Sequence, residues 1–445
     1  MVEEVDVKAA EELIDFIQAC PSMFHTTRTI AGELDRAGFT RLAEGDAWEL
    51  SAGGRYYTTR NGSSIIAFKV GERAVAEGGY HFQVTASHGD SPTFKLKALP
   101  LIEGPEGMLR LNVEAYGGMI DYTWLDRPLS IAGRVLVEAD GRVESRLVAP
   151  DRDLVMIPSL AIHLDRSVND SFSPNRATDI VPLVSAGELT AEGFDELIAR
   201  EAGVERAQVL ARDLFLVSRV PARVWGAARE FVSSPKLDDL MCAFTSLKAF
   251  IAAENPASVN VYCCFDNEEV GSNTKQGAMS TFLPDVLTRL TAALGLTPED
   301  YRRALAKSMM VSCDNAHALH PNKTDKYDGQ NRCRLNGGIV IKEAANQHYC
   351  TDAFSRAAFI AVCRRAGVPY QTFANRSDMA GGSTLGNLSN IQASMHAIDV
   401  GCAQLAMHSS YETAGTRDVR QVVAALTAFL EADLAIDGAQ AVTLR

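Results

Sequence analysis

Apolar positions near the start of the chain recur at three- and four-residue steps: Ala9, Leu13, Phe16, Ile17 and Cys20. That spacing puts them on one face of a helix. A second helix is predicted from Thr27 to Ala37, stopped by Gly38, which can take the left-handed backbone a helix end needs. The period then shortens to two. Tyr56–Arg60 and Ser63–Val70 flank Asn61-Gly62, a hairpin signal because both turn positions favour positive φ. Tyr80–Ser87 is a further predicted strand and ends at His88.

From about residue 99 to 231 strand-like runs dominate: Met108–Tyr116, Leu129–Glu138 and, after an Asp140-Gly141 turn, Arg142–Val148. A polar segment, Asp165–Thr178, follows, and helical spacing is thin until Thr190–Leu197. From Ser234 helices and strands alternate. Lys236–Glu254 carries an apolar stripe of Leu237, Leu240, Met241, Phe244, Leu247 and Ile251. Ser258–Phe265, Ser308–Cys313 and Met395–Val400 read as buried strands. Thr351–Ala366, closed by Gly367, and Gln421–Leu434 read as helices. Thr297-Pro298-Glu299-Asp300 is a helix start, with a hydroxyl cap, proline first and acids near the positive end. The expectation is an α/β fold, a mixed sheet sandwiched by helices, with a β-rich insertion. The domains are then 1–98 plus 232–445, and 99–231.

At 445 residues the chain is long enough for two cores. No apolar run reaches the roughly 18–20 residues of a membrane span. The acidic, amphipathic start lacks the basic and apolar regions of an export signal, which points to the cytoplasm. Nine cysteines, an odd count without a Cys-x-x-Cys pair, read as small buried hydrophobes rather than disulfides. A net charge of −13 argues against a broad nucleic-acid-binding face.

Five polar clusters interrupt this pattern at the ends of apolar elements. They are Ser87-His88-Gly89-Asp90, Lys236-Leu237-Asp238-Asp239, Asp266 to Ser272, Ser312 to His317, and Met407-His408-Ser409. Four of them follow predicted strands, where ligands gather in open α/β sheets. Alone, a His-x-Asp reads as a solvated loop and His408 as a core histidine. Together, two imidazoles and several carboxylates without a thiolate suit a pair of divalent ions such as zinc. One carboxylate must bridge the ions, and another must stay off them to take a proton from the attacking water.

The stretches SHGDSPTFKLK (87–97), YGGMIDYTWLDRPL (116–129), IPSLAIHLDRSVND (157–170), SSPKLDDL (233–240), DNEEVGS (266–272), SCDNAHALHPN (312–322), SDMAGGSTLG (377–386) and DVGCAQLAMHSSYE (399–412) resemble the aspartyl aminopeptidase family. The blocks stand in the family's order and span most of the chain. The resemblance implies a zinc aminopeptidase with two divalent ions per subunit; cobalt or manganese could replace zinc. It implies that His88, Asp238 and Asp314 hold one ion, and that Asp238, Glu269 and His408 hold the other, with Asp238 bridging. It makes Asp90 the residue that orients His88, and Glu268 the general base and then acid. It implies a metallopeptidase α/β domain interrupted by a β-rich dimerisation domain. It further implies a tetrahedral dodecamer built from dimers, in which His163 reaches a neighbour's active site. Peptide substrates with N-terminal Asp or Glu are expected, with Lys342 in GGIVIK as the recognising cation. Gly89, Asp239, Lys236 and Ala380-Gly381 depart from the family's usual residues, which bears on the shape of the substrate pocket. A dimetal amidohydrolase or deacylase acting on N-acyl or C-terminal substrates is the alternative reading.

Overall fold

The computed structural model describes residues 1–75 and 79–445. Its largest sheet has nine strands in the order Thr40–Arg41, Arg55–Arg60, Ser64–Val70, Val259–Phe265, Phe82–His88, Met309–Cys313, His396–Gly401, Ile339–Glu343 and Tyr370–Ala374. Val259–Phe265, Phe82–His88, Met309–Cys313 and His396–Gly401 run parallel to one another at its centre. Ser64–Val70 and Ile339–Glu343 flank them antiparallel. The sheet is mixed and helix-covered on both faces, in keeping with the expected α/β fold.

Two cores explain why the central strands are almost uniformly apolar. Tyr262 and Cys264 face one side with Leu13, Leu240, Phe359 and Phe429 from four helices: Glu4–Gln18, Leu237–Ala252, Ala353–Ala366 and Thr416–Glu431. Val261, Cys263 and Phe265 face the other with Phe282, Leu287, Tyr301 and Leu385. Those residues come from the helices Phe282–Ala293, Pro298–Leu305 and Leu385–Gln392. The alternation is the two-residue period of a strand buried on both faces.

A separate six-stranded antiparallel sheet orders Arg142–Val148, Leu129–Ala139, Val209–Ser218, Thr93–Glu103, Leu109–Tyr116 and Leu183–Ser185. Asp140 and Gly141 both have positive φ and join two of its strands, with Ala139 opposite Arg142. Helix Ala191–Glu201 covers this sheet through Phe194 and Ile198. Between Val148 and Leu183 the chain forms only isolated bridges among the described residues, and His163 lies there, exposed.

The second helix runs Met23–Arg36, four residues earlier than its spacing predicts. Met23 and Phe24 pack against Tyr116 and Phe215 of the six-stranded sheet, whereas Ile30 and Leu34 enter the main core. The apolar stripe serves two cores, so its first turn falls out of phase. No helix among the described residues is long and apolar enough to cross a membrane.

Candidate metal centre

Three parallel strands of the large sheet end at the same edge. His88 is the last residue of one, Glu268 and Glu269 follow the second, and Asp314 follows the third. A five-stranded sheet brings the other two donors. Asp238 comes shortly after Phe231–Ser234, and His408 after Ala403–Leu405. Asp238 has an extended backbone (φ −84°, ψ 110°) before the regular turns of its helix.

The side chains converge. Nε2 of His88 lies 3.6 Å from Oδ1 of Asp238 and 3.9 Å from Oε2 of Glu268. Nε2 of His408 lies 3.3 Å from Oδ2 of Asp238 and 3.4 Å from Oε2 of Glu269. Three groups have potential ligand atoms within 4.8 Å of one another: His88, Asp238, Asp239 and Asp314; His88, Glu268 and Glu269; and Asp238, Glu269 and His408. Asp238 belongs to two of these groups.

Asp90 acts on both sides of the cluster. Its Oδ1 is 3.3 Å from Nδ1 of His88, and its carboxylate accepts the backbone N–H of Glu268 and of Glu269, each at 3.2 Å. Tyr116 donates its hydroxyl to Asp90 at 2.7 Å, which ties the six-stranded sheet to the cluster. Lys342 is fully buried. Its Nζ is 3.7 Å from Oδ1 of Asp314, donates to the carbonyl of Asn315 and lies over the Tyr349 ring. His163 has no place in the cluster of its own chain.

Glu412 was not singled out by sequence reasoning, although it ends the last quoted stretch. Fully buried, it accepts the backbone N–H of Asp238 at 2.9 Å and of His408 at 2.7 Å. It therefore pins two of the converging segments at once. Its register position opposite Ser234 sets this contact, and the amino-acid pattern carries no sign of it.

The electrostatics favour bound cations. Burial, reinforced by Asp314, Asp90 and Asp238, raises Glu268 to about 8 against the opposing pull of His88. Burial also raises Asp239, Glu269 and Asp314. Burial acts to raise Asp238 too, but the His408 hydrogen bond and the charge of His88 outweigh it and bring Asp238 down. Burial would lower His408, but the hydrogen bond and charge of Asp238 lift it to about 9. So many carboxylates in one buried place repel one another, and a divalent ion among them would relieve that repulsion. Oδ1 of Asp238, Oδ1 of Asp239 and Oε1 of Glu269 are buried without a hydrogen-bond partner in the described structure, as oxygens reserved for a metal would be. The donor set, imidazole and carboxylate without thiolate, fits zinc in a catalytic role.

The description "aminopeptidase I zinc metalloprotease (M18)" matches residues 16–430. The chain is 42% identical over 417 residues to a probable M18 family aminopeptidase 2 of Clostridium novyi, covering 93% of this chain and 96% of that protein. It is 41% identical over 426 residues to the protein of the same name from Pseudomonas aeruginosa, covering 94% and 96%. Among solved structures, the cryo-EM structure of the Ape4 and Nbr1 complex superposes with a TM-score of 0.92 at 37% identity, covering 97% of this chain and 87% of that one. The S. cerevisiae mApe1 dodecamer gives 0.85 at 30% identity, covering 96% and 97%. Fold and centre together define a metalloexopeptidase. The chain belongs to the M18 family: it is a zinc-metalloprotease aminopeptidase, which removes residues from the N-terminus of peptides.

Proposed function

We propose that this aminopeptidase works with two metal ions, zinc in the first place and cobalt or manganese as substitutes, and prefers peptides beginning with Asp or Glu. His88, Asp238 and Asp314 would hold one ion, and Asp238, Glu269 and His408 the other. The observation that carries this reading is the shared position of Asp238, with one oxygen 3.6 Å from His88 and the other 3.3 Å from His408. When bound, the ions would supply Lewis acidity to the attacking water and to the carbonyl oxygen of the scissile bond.

Glu268 takes the proton from the attacking water and returns it to the departing amine. Burial and its acidic neighbours raise its carboxyl above the ordinary carboxylate range, the direction that suits a group which both accepts and donates a proton. Asp90 orients His88 through Nδ1 and steadies the segment that carries Glu268. Lys342 is the cation the resemblance assigns to an acidic substrate side chain, although its buried ammonium is already held by Asp314 and the carbonyl of Asn315.

The chain divides into a catalytic unit of residues 1–98 and 232–445 and a dimerisation unit of 99–231. A separate six-stranded sheet with its own core supports a second unit, with the sheet itself running from Thr93 to Ser218 rather than from 99 to 231. The mApe1 dodecamer supports a homo-oligomer; we read that assembly as a tetrahedral dodecamer in which His163 would enter a neighbour's site. Nine unpaired cysteines accord with work in the cytoplasm. The test is turnover of aminoacyl substrates with each N-terminal residue, and of N-acyl substrates, by metal-reconstituted and chelated protein. Metal-dependent release of Asp and Glu ahead of other residues is expected. Equal rates across the panel would remove the acidic preference, and activity on N-acyl substrates alone would remove the aminopeptidase mechanism.

A further inference from the structure

One member of the buried cluster has no part in the scheme above. Asp239 is fully buried, and its potential ligand atom lies within 4.8 Å of those of His88, Asp238 and Asp314. Its Oδ2 accepts the backbone N–H of His88 at 3.2 Å. Its Oδ1 is buried with no hydrogen-bond partner in the described structure. Among the described residues, the only side-chain donor that meets the Asp239 carboxylate is the Cys242 thiol, a weak donor that it shares with a second acceptor. The Cys242 thiol donates to the side-chain oxygen of Asn315 at 3.2 Å, and the Lys342 ammonium lies against Asp314. A carboxylate oxygen enclosed without a strong donor or counter-charge is costly unless a cation meets it.

We propose that Asp239 is a further anionic group of the His88 half of the metal centre and biases that half toward hard, oxygen-preferring divalent cations such as Mn2+ over zinc. The proposal rests on the reading of the cluster as a metal centre. With Asp239 included, this half offers three carboxylates to one imidazole, whereas the half built on Glu269 and His408 offers two carboxylates to one imidazole. Zinc is satisfied by four donors and by nitrogen. Manganese favours carboxylate oxygen and a larger coordination number. The two halves therefore differ in metal preference.

Asp239→Asn tests this, because the amide keeps the size of the side chain and an oxygen for the His88 N–H while removing the charge. Chelated protein, wild type and variant, is titrated with Mn2+ and separately with Zn2+, and bound metal is counted after equilibrium dialysis. The expected result is a loss of Mn2+ affinity of about tenfold or more at one of two sites, with a smaller loss for Zn2+. An unchanged ratio of Mn2+ to Zn2+ affinity would overturn the proposal. Wild-type protein gives a second test that needs no variant. Loaded with Co2+ at its Mn2+-preferring site, it should show the weak visible bands of five- or six-coordinate cobalt; the intense bands of four-coordinate cobalt would also overturn it. Asp238→Asn separates this from the reading beneath it. That variant should lose metal from both halves, and if it retains both ions the centre itself has been misassigned, whatever Asp239 does.

Discussion

At the scale of single residues, the centre divides side chains that would touch metal from those that move protons or hold position. In the proposed mechanism Glu268 belongs to the second kind, and its replacement tests that role. Glu268→Gln should lower turnover by about 10²–10⁴-fold, the usual contribution of a general base, while metal content by elemental analysis stays at the wild-type value. Loss of metal with the activity would place Glu268 among the ligands instead. Glu412 makes the opposite prediction. An amide can accept at one atom only, so Glu412→Gln leaves the backbone N–H of either Asp238 or His408 facing a donor. Metal affinity should fall by about 10–100-fold, as when a ligand's supporting group is lost, and added metal should restore much of the turnover. If equilibrium dialysis shows unchanged affinity, the two hydrogen bonds serve the fold alone.

At the scale of elements, the strand ends are where the chain can be read most directly. Val-Tyr-Cys-Cys-Phe gives way to Asp266 at the edge of the sheet, and Met-Met-Val-Ser-Cys to Asp314, so an abrupt change from apolar to acidic marks the place where a buried strand emerges. Other elements carry no such mark. Tyr370–Ala374 is an edge strand with only Phe373 buried, so it lacks a clear period, and Phe282–Ala293 hides its start behind Pro284. Tyr116 and Glu412 were illegible for a different reason: which atoms they face is set by strand register between distant segments. Local signals can also be tested locally. Thr297 caps Pro298–Leu305 by accepting from the N–H of Asp300, so Thr297→Ala should cost about 1 kcal/mol in denaturant unfolding. His25, in the second helix, gives a pH signature. Burial, with Arg28 and Lys236 nearby, lowers it from 6.5 to about 3, so the folded chain holds it neutral while the unfolded chain protonates it. Its contribution is complete above pH 6.5 and is lost as pH falls toward 3, with a slope of about 1.4 kcal/mol per pH unit. His25→Asn should flatten the acid limb of stability by that one-proton slope, measured by urea unfolding between pH 7 and about 4.5.

At the scale of the whole molecule, the segment between Val148 and Leu183 carries the proposed link between fold and assembly. Leu160 is 63% exposed and Leu164 75%, and Ile162 beside them is also exposed, a run of apolar side chains that a lone subunit leaves in water. Large exposed apolar patches mark interaction surfaces, and His163 stands inside this one, away from the cluster of its own chain. If the proposed assembly covers these leucines and His163 enters a neighbour's site through the same segment, oligomerisation and catalysis would be coupled there. Replacing Leu160 and Leu164 by serine should then shift the molar mass in multi-angle light scattering from a large assembly to smaller species. Turnover should fall with it, although metal content stays intact because no ligand of the chain's own cluster has been touched. His163→Ala should reproduce the loss of turnover and leave the assembly whole. If the double serine variant keeps the mass of the parent, the apolar run is not the assembly surface, and the case for His163 acting across it falls as well.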